Sequence, residues 1–173
     1  VEASFAQLYA QHYRRVFGLC RQMLRRPEPA EDAAQEVFLR AYRAFGRYDR
    51  SQPFSRWIMT IAAHHCVDQV RRRAKETNVF GTEQDEARAL AADDEEGLAA
   101  VLTAERAREV KTALETLPNK YRVPLLLAYY NEASYEEIAA ALGITRNHVG
   151  ILLLRGKRAL RAVLDRNEQE IAP

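Results

Sequence analysis

Between residues 47 and 73 the chain interleaves cations with aromatic rings: Arg47, Tyr48, Phe54, Arg56, Trp57, Arg71, Arg72 and Arg73. Guanidiniums hold phosphates and rings stack on exposed bases, so this mixture suits nucleic acid whose bases have been pulled apart. Nearer the C-terminus, "SYEEIAAALGITRNHV" (134–149) has the grammar of a helix-turn-helix. Ser134 and Glu137 are spaced for a capping box, Gly143 can turn with positive φ, and Thr145 offers a side-chain cap to a second helix. Val149 then points inward and Arg146, Asn147, Gly150 and Ile151 face a DNA major groove. Arg155, Lys157, Arg158 and Arg161 supply cations for phosphates, while Arg146 or Asn147 could read guanine or adenine edges. This is recognition chemistry. Asp32 and Glu36 come nearest to paired catalytic carboxylates, but they sit one turn apart on a polar helix face without a His or Cys partner. The four histidines have no metal-ligand spacing, and no metal or cofactor is expected.

Helices must position these groups. Phe5, Leu8, Tyr9, Tyr13, Val16, Phe17, Cys20 and Leu24 recur at steps of three and four, a core stripe ending before Pro27. A second helix is expected after "RPEP", with Ala34, Val37, Phe38, Ala41, Tyr42 and Phe45 inward and Asp32, Gln35, Glu36 and Arg40 outward. The segment 46–55 reads as a loop. A third helix follows with Ile58, Ile61, Ala62, Cys66 and Val70 inward, and Trp57 beside that stripe reads as core. Beyond Lys75 the periodicity fades into acidic, alanine-rich sequence, which predicts a flexible tether. A second helical module begins near Leu102 and closes with the helix pair. The fold class expected is all-α: two small helical domains, 1–76 and 102–173, joined by an acidic linker, 77–101.

Composition fits a folded chain rather than a disordered one: 173 residues, 47% hydrophobic, 29% charged, net charge +2. The average hides a basic "RRRAK" at 71–75 beside a strongly acidic stretch at 77–98. Opposite charge blocks suggest separate surfaces. Cys20 and Cys66 fall on apolar helix positions and read as buried free thiols of a reducing compartment. No apolar run reaches the ~20 residues that span a bilayer. No signal-peptide pattern opens the chain, so a cytoplasmic protein without membrane insertion is expected.

Three stretches in this order resemble the extracytoplasmic-function (ECF) sigma factors, two-domain initiation factors of bacterial transcription. "AEDAAQEVFLRAY" is similar to the family's polymerase-clamp helix, and "FSRWIMTIAAHHCVDQVRRR" to its −10 recognition segment. "LETLPNKYRVPLLLAYYNEASYEEIAAALGITRNHVGILLLRGKRAL" resembles its −35 domain. The resemblance implies that Asp32, Gln35, Glu36 and Arg40 bind core RNA polymerase. It implies that Arg47, Tyr48, Ser51, Gln52, Arg56, His64, Arg71, Arg72 and Arg73 meet −10 DNA, with the 46–55 loop capturing an extruded base. It places Arg146, Asn147, Gly150, Ile151, Arg155 and Arg158 on −35 DNA. Promoter DNA and core polymerase are then the partners, with an anti-sigma factor as a further one. The acidic tether would thread the polymerase's RNA-exit path.

The sequence departs from the family pattern at Ala63 and His64, where a polar or basic residue and an asparagine are common. It departs again at Gly150, Ile151 and Leu152, where basic or small polar residues are common. The aliphatic run "GILLL" has three readings: a wider core, contact with thymine methyls, or a partner-covered surface. A helix-turn-helix regulator that never joins polymerase is the alternative function.

Overall fold

The computed structural model describes residues 3–74, 79–82 and 104–171, and the described residues are helical apart from turns and loops. The first module holds α1 (Phe5–Leu24), α2 (Pro27–Ala44), a short 3-10 turn (Phe45–Arg47) and α3 (Phe54–Ala74). The second holds α4 (Ala104–Thr116), α5 (Asn119–Tyr129), α6 (Tyr135–Leu142) and α7 (Arg146–Ile171). Most of the linker, 77–78 and 83–101, lies outside the described residues.

Local chemistry sets the helix ends. Ser4 and Gln7 make a capping box that starts α1, and Arg25 ends it at φ 65, a left-handed conformation that a glycine would adopt with less strain. The next helix starts earlier than the sequence pattern predicts. Pro27 and Pro29 lie inside its first turn, where their missing N–H groups have no intrahelical partner to lose. Val16, Leu19, Cys20 and Met23 of α1 pack with Val37, Phe38 and Ala41 of α2 and with Ile58, Ala62, Cys66 and Val70 of α3. The two cysteines are buried free thiols, Sγ to Sγ 3.5 Å. Their contact and burial raise the Cys66 pKa well above its ordinary value.

Several burial readings change, and Tyr9, read on the α1 core stripe, is 39% exposed. Tyr42, expected in the core, is 63% exposed and touches Phe5 only edge-on, centroids 5.2 Å apart. The stripe of α2 is narrow, and Ala34, Val37, Phe38 and Ala41 fill it without Tyr42. Trp57 is only half-buried, packed on Tyr48 and Phe54 at centroid distances of 4.6 and 5.6 Å. Phe80, read as part of a solvated tether, is 2% exposed.

The sequence pattern does not anticipate that the modules pack together. Their buried residues form one continuous cluster, with α3 against α6 and α1 against α5. In the second module Ser134 and Glu137 make the capping box, Gly143 closes α6 at φ 64, and the Thr145 hydroxyl accepts the His148 amide at 3.1 Å. The axes of α6 and α7 bend by 98° at this corner. No single described helix is long and apolar enough to cross a membrane.

Replacing Ser134 with alanine removes one half of the capping box, with an expected loss of about 1 kcal/mol in denaturant unfolding. Ser134→Thr is expected to retain most of it.

Candidate nucleic-acid interface

The expected −10 residues run from the 3-10 turn through α3 but do not share one face: Arg56 and His64 line a cleft beside α6, whereas Arg73 lines a separate pocket with Glu28, Asp32 and Glu36 of α2. The loop before α3 is built from its own polar groups. The Asp49 carboxylate accepts the Ser51 amide at 2.9 Å and the Ser51 hydroxyl at 2.8 Å, and the Tyr48 hydroxyl donates to the Gln52 carbonyl. The amide and hydroxyl of Ser51 hold the Asp49 pKa below the ordinary 3.8. Behind the loop, Phe45, Tyr48, Phe54 and Trp57 form an aromatic floor. Tyr48 is therefore a brace with a half-buried ring, while Arg47, Ser51 and Gln52 are exposed above it.

Along α3, His64, Arg72 and Arg73 are exposed, but Arg56 and Arg71 are engaged by the second module. Arg56 donates from Nε and Nη2 to Glu137 Oε1 at 3.0 and 2.6 Å. Burial alone would raise the Glu137 pKa, yet the Ser134 amide and Arg56 together hold it below its ordinary value. Arg71 donates to the Leu142 carbonyl, and its guanidinium lies 5.3 Å from the Phe80 ring centroid.

At the helix-turn-helix, Arg146 and Asn147 are exposed at the start of α7. Arg146 pairs with Glu136 at 2.6 Å and lies over the Tyr135 ring. Gly150 faces Tyr135, and Arg155 and Arg158 are half-buried further along. Ile151 does not face a groove: it is 9% exposed. It stands one turn past His148 on a stripe that is covered at His148, where the ring meets the Phe80 carbonyl at 2.9 Å. Leu152 is fully buried and Leu153 nearly so, so the aliphatic run is mostly core. Leu154 is half-buried. That favours the wider-core reading over thymine contact or a partner surface at Ile151 and Leu152.

On the outer face of α2, Asp32, Gln35 and Arg40 are exposed and Glu36 is half-buried, with Arg40 Nε donating to Glu36 at 2.7 Å. That bond lowers the Glu36 pKa. The same face carries Leu39, which the sequence pattern leaves unassigned, and Tyr42, which it places inward; they are 43% and 63% exposed. Gln35, Leu39 and Tyr42 are spaced by four and three, which is the signal that could have found them.

A helical module with cationic and aromatic groups, linked to a helix-turn-helix with an open recognition end, defines a two-part DNA-binding protein. Family comparisons give the class. Sigma-70 region 2 matches residues 8–76, and Sigma-70, region 4, matches residues 107–160. The ECF RNA polymerase sigma factor SigW of Bacillus subtilis is 32% identical over 171 residues, covering 93% of this chain and 89% of that protein. The RNA polymerase sigma factor CarQ of Myxococcus xanthus is 31% identical over 169 residues, covering 98% and 94%. Among solved structures, CnrH in complex with the cytosolic domain of CnrY superposes with a TM-score of 0.57 at 25% identity, covering 93% of this chain and 87% of that one. The sigma factor RpoE, crystallised with the anti-sigma factor NepR from Bartonella quintana, has a TM-score of 0.63 at 19% identity, covers 93% and 96%, and shares the fold.

The chain belongs to the ECF sigma factors. It is an alternative sigma factor of RNA polymerase, with core polymerase and promoter DNA as its partners. The reading as a regulator independent of polymerase is set aside.

The Asp49 turn carries a pH signature. Its folded-state pKa is lowered, so its contribution is present above the unfolded value and lost as pH falls through the folded one. The Ser51 amide resonance is expected to titrate with a midpoint below 3.8, and Asp49→Ala to abolish that titration.

Proposed function

We propose that the labour is divided by face, with residues 1–76 and 102–173 as the working domains and 77–101 as the tether. The outer face of α2 docks on core polymerase through Asp32, Gln35, Glu36 and Arg40, with Leu39 and Tyr42 adding an apolar centre. The observation that carries this is the exposure of Leu39 and Tyr42 in register with Gln35 on a helix whose core stripe is complete without them. Mixed carboxylate, amide and guanidinium groups around a partly apolar centre suit a stable protein partner.

Base capture at −10 falls to the loop around Ser51 and Gln52, above the aromatic floor. Arg47, Arg56, Arg71, Arg72 and Arg73 hold phosphates, and His64 lies on the base-reading side. Separating bases costs about 1.4 kcal/mol per stacked step, which these contacts and the polymerase must offset. At −35, Arg146 and Asn147 read base edges and Arg155 and Arg158 hold the backbone, while Gly150 allows close approach. The chain contributes recognition and strand separation with no bond-making step of its own, and it works in the cytoplasm. RpoE's complex with NepR motivates adding an anti-sigma factor to its partners.

Charge reversal of Asp32 and Glu36 to lysine is expected to weaken association with core polymerase at least tenfold in co-elution or titration, with unchanged helicity and melting temperature. Unchanged affinity would remove the assignment of α2. Arg146→Ala is expected to cost about 1–3 kcal/mol in −35 recognition and to relax discrimination at one base pair, read by transcription from a promoter library.

A further inference from the structure

Another cleft lies where the ends of α1 and α3 meet the turn between α4 and α5. Its volume of about 490 Å³ is that of a small-molecule site. Three arginines line it: Arg25 at the end of α1, Arg73 in the last turn of α3 and Arg122 in the first turn of α5. Among the described residues that line it, none is an aspartate or a glutamate. A concave surface carrying charge of one sign over apolar walls concentrates its field on whatever enters. Here the walls are Leu24, Val70 and Leu117, all buried, and Pro118 offers an exposed ring beside them.

The three guanidiniums are not equally committed. Arg122, 2% exposed, donates through its Nη atoms to the Gln22 and Met23 carbonyls and to the Asn119 side chain, but its Nε is buried without an acceptor. Arg25 is exposed and gives Nη2 to the Leu117 carbonyl at 2.9 Å. Arg73 is exposed and makes no hydrogen bond or ion pair among the described residues. The cleft therefore presents one whole guanidinium fork, part of a second, and a buried N–H whose lack of an acceptor is costly. Crowding of like charge is already felt. Burial, and then the Arg25 charge, lower the Arg122 pKa to about 10, while Glu115, whose carboxylate works the other way, does not line the cleft.

We propose that this cleft binds a small phosphate-bearing molecule with a flat apolar part, of the class of a nucleoside diphosphate. One phosphate pairs with the open fork of Arg73, which matches two oxygens at once, and the next reaches the N–H groups that Arg25 leaves free. Arg122 adds its charge from below and an N–H in need of an oxygen. The flat part lies on Pro118 and Leu117, which an inorganic anion would leave uncovered. Nucleic-acid backbone carries the same phosphate chemistry, but a strand that passes over Arg73 does not fill a concavity walled by Leu24, Val70 and Leu117. The site stands apart from the reading of α3 as the −10 surface, since Arg25, Arg122 and the apolar walls belong to no part of it.

Titration calorimetry of the full chain, at low salt and without divalent cations, tests this with adenosine diphosphate, inorganic pyrophosphate and adenosine as separate probes. The diphosphate is expected to bind one to one, pyrophosphate more weakly and adenosine more weakly still. Arg73→Gln removes an exposed guanidinium, and Arg25→Gly removes a second where φ 65 suits glycine, so both are expected to keep the parent's helicity. Each loses a charge-assisted contact and is expected to weaken the nucleotide about tenfold. Arg14→Gln, an exposed α1 position outside the cleft, makes the same change in net charge and is expected to leave that affinity unchanged. No binding of nucleotide or pyrophosphate at millimolar concentration overturns the site. An equal loss in Arg14→Gln also overturns it, because net charge alone would then be the attraction. Pyrophosphate binding as tightly as the nucleotide overturns the apolar half of the assignment. A mixed-sequence DNA single strand that suffers the same tenfold loss in Arg25→Gly makes the cleft a backbone site and overturns the small-ligand reading.

Discussion

A buried guanidinium at the end of a foreign helix is the interaction on which this arrangement depends. Arg122 lies among Val123, Pro124 and Leu125 in an otherwise apolar stretch, and burial together with the neighbouring Arg25 pushes its pKa down to about 10. A buried charge without partners is costly, and stripping one partner from a buried pair typically costs 3–5 kcal/mol. Two α1 carbonyls and the Asn119 side chain at 2.9 Å provide the compensation. Those carbonyls belong to the other module, so α5 is best satisfied only when α1 is in place. Arg25 adds a reciprocal tie from a strained left-handed residue.

The helix-turn-helix shows the same economy. Its corner is set locally, by the Ser134 box, the left-handed Gly143 and the Thr145 cap. Its outward faces are shared: the end of α6 leans on α3, and His148 of α7 is tied to the backbone at Phe80. In the first turn of α7, Arg146 and Asn147 are exposed while His148 and Val149 are buried. The Arg146 pair with Glu136 is exposed, the kind of contact worth about 0–1 kcal/mol, so it holds the Arg146 side chain only weakly.

Local pattern made much of this legible. The capping box, the left-handed glycine, inward Val149 and the α1 stripe follow from spacing alone, because each depends on residues within one or two turns. The misreadings share a different cause. Tyr42 fits the period of the α2 core stripe, yet smaller neighbours fill that stripe. Ile151 follows a recognition-helix template, yet its stripe is covered at His148 by a segment 68 residues earlier. Phe80 sits in acidic sequence whose composition reads as a tether. Arg122 meets carbonyls about 100 residues away, and periodicity carries no information at that separation. A lone arginine inside "YRVPLLLAYY" was nevertheless a signal, since a charge in an apolar run needs a partner from somewhere.

The contact between the modules is uneven along its length, and that follows from its acceptors. At the Arg122 end the donor is buried and two of its acceptors are α1 carbonyls, so separating α5 from α1 would strand a buried cation. At the α3 end, Arg56 holds the Glu137 carboxylate with its own side chain 61% exposed, the kind of surface pair worth about 0–1 kcal/mol, and Arg71 holds a single carbonyl. The Arg122 end therefore ties the two modules more firmly than the α3 end.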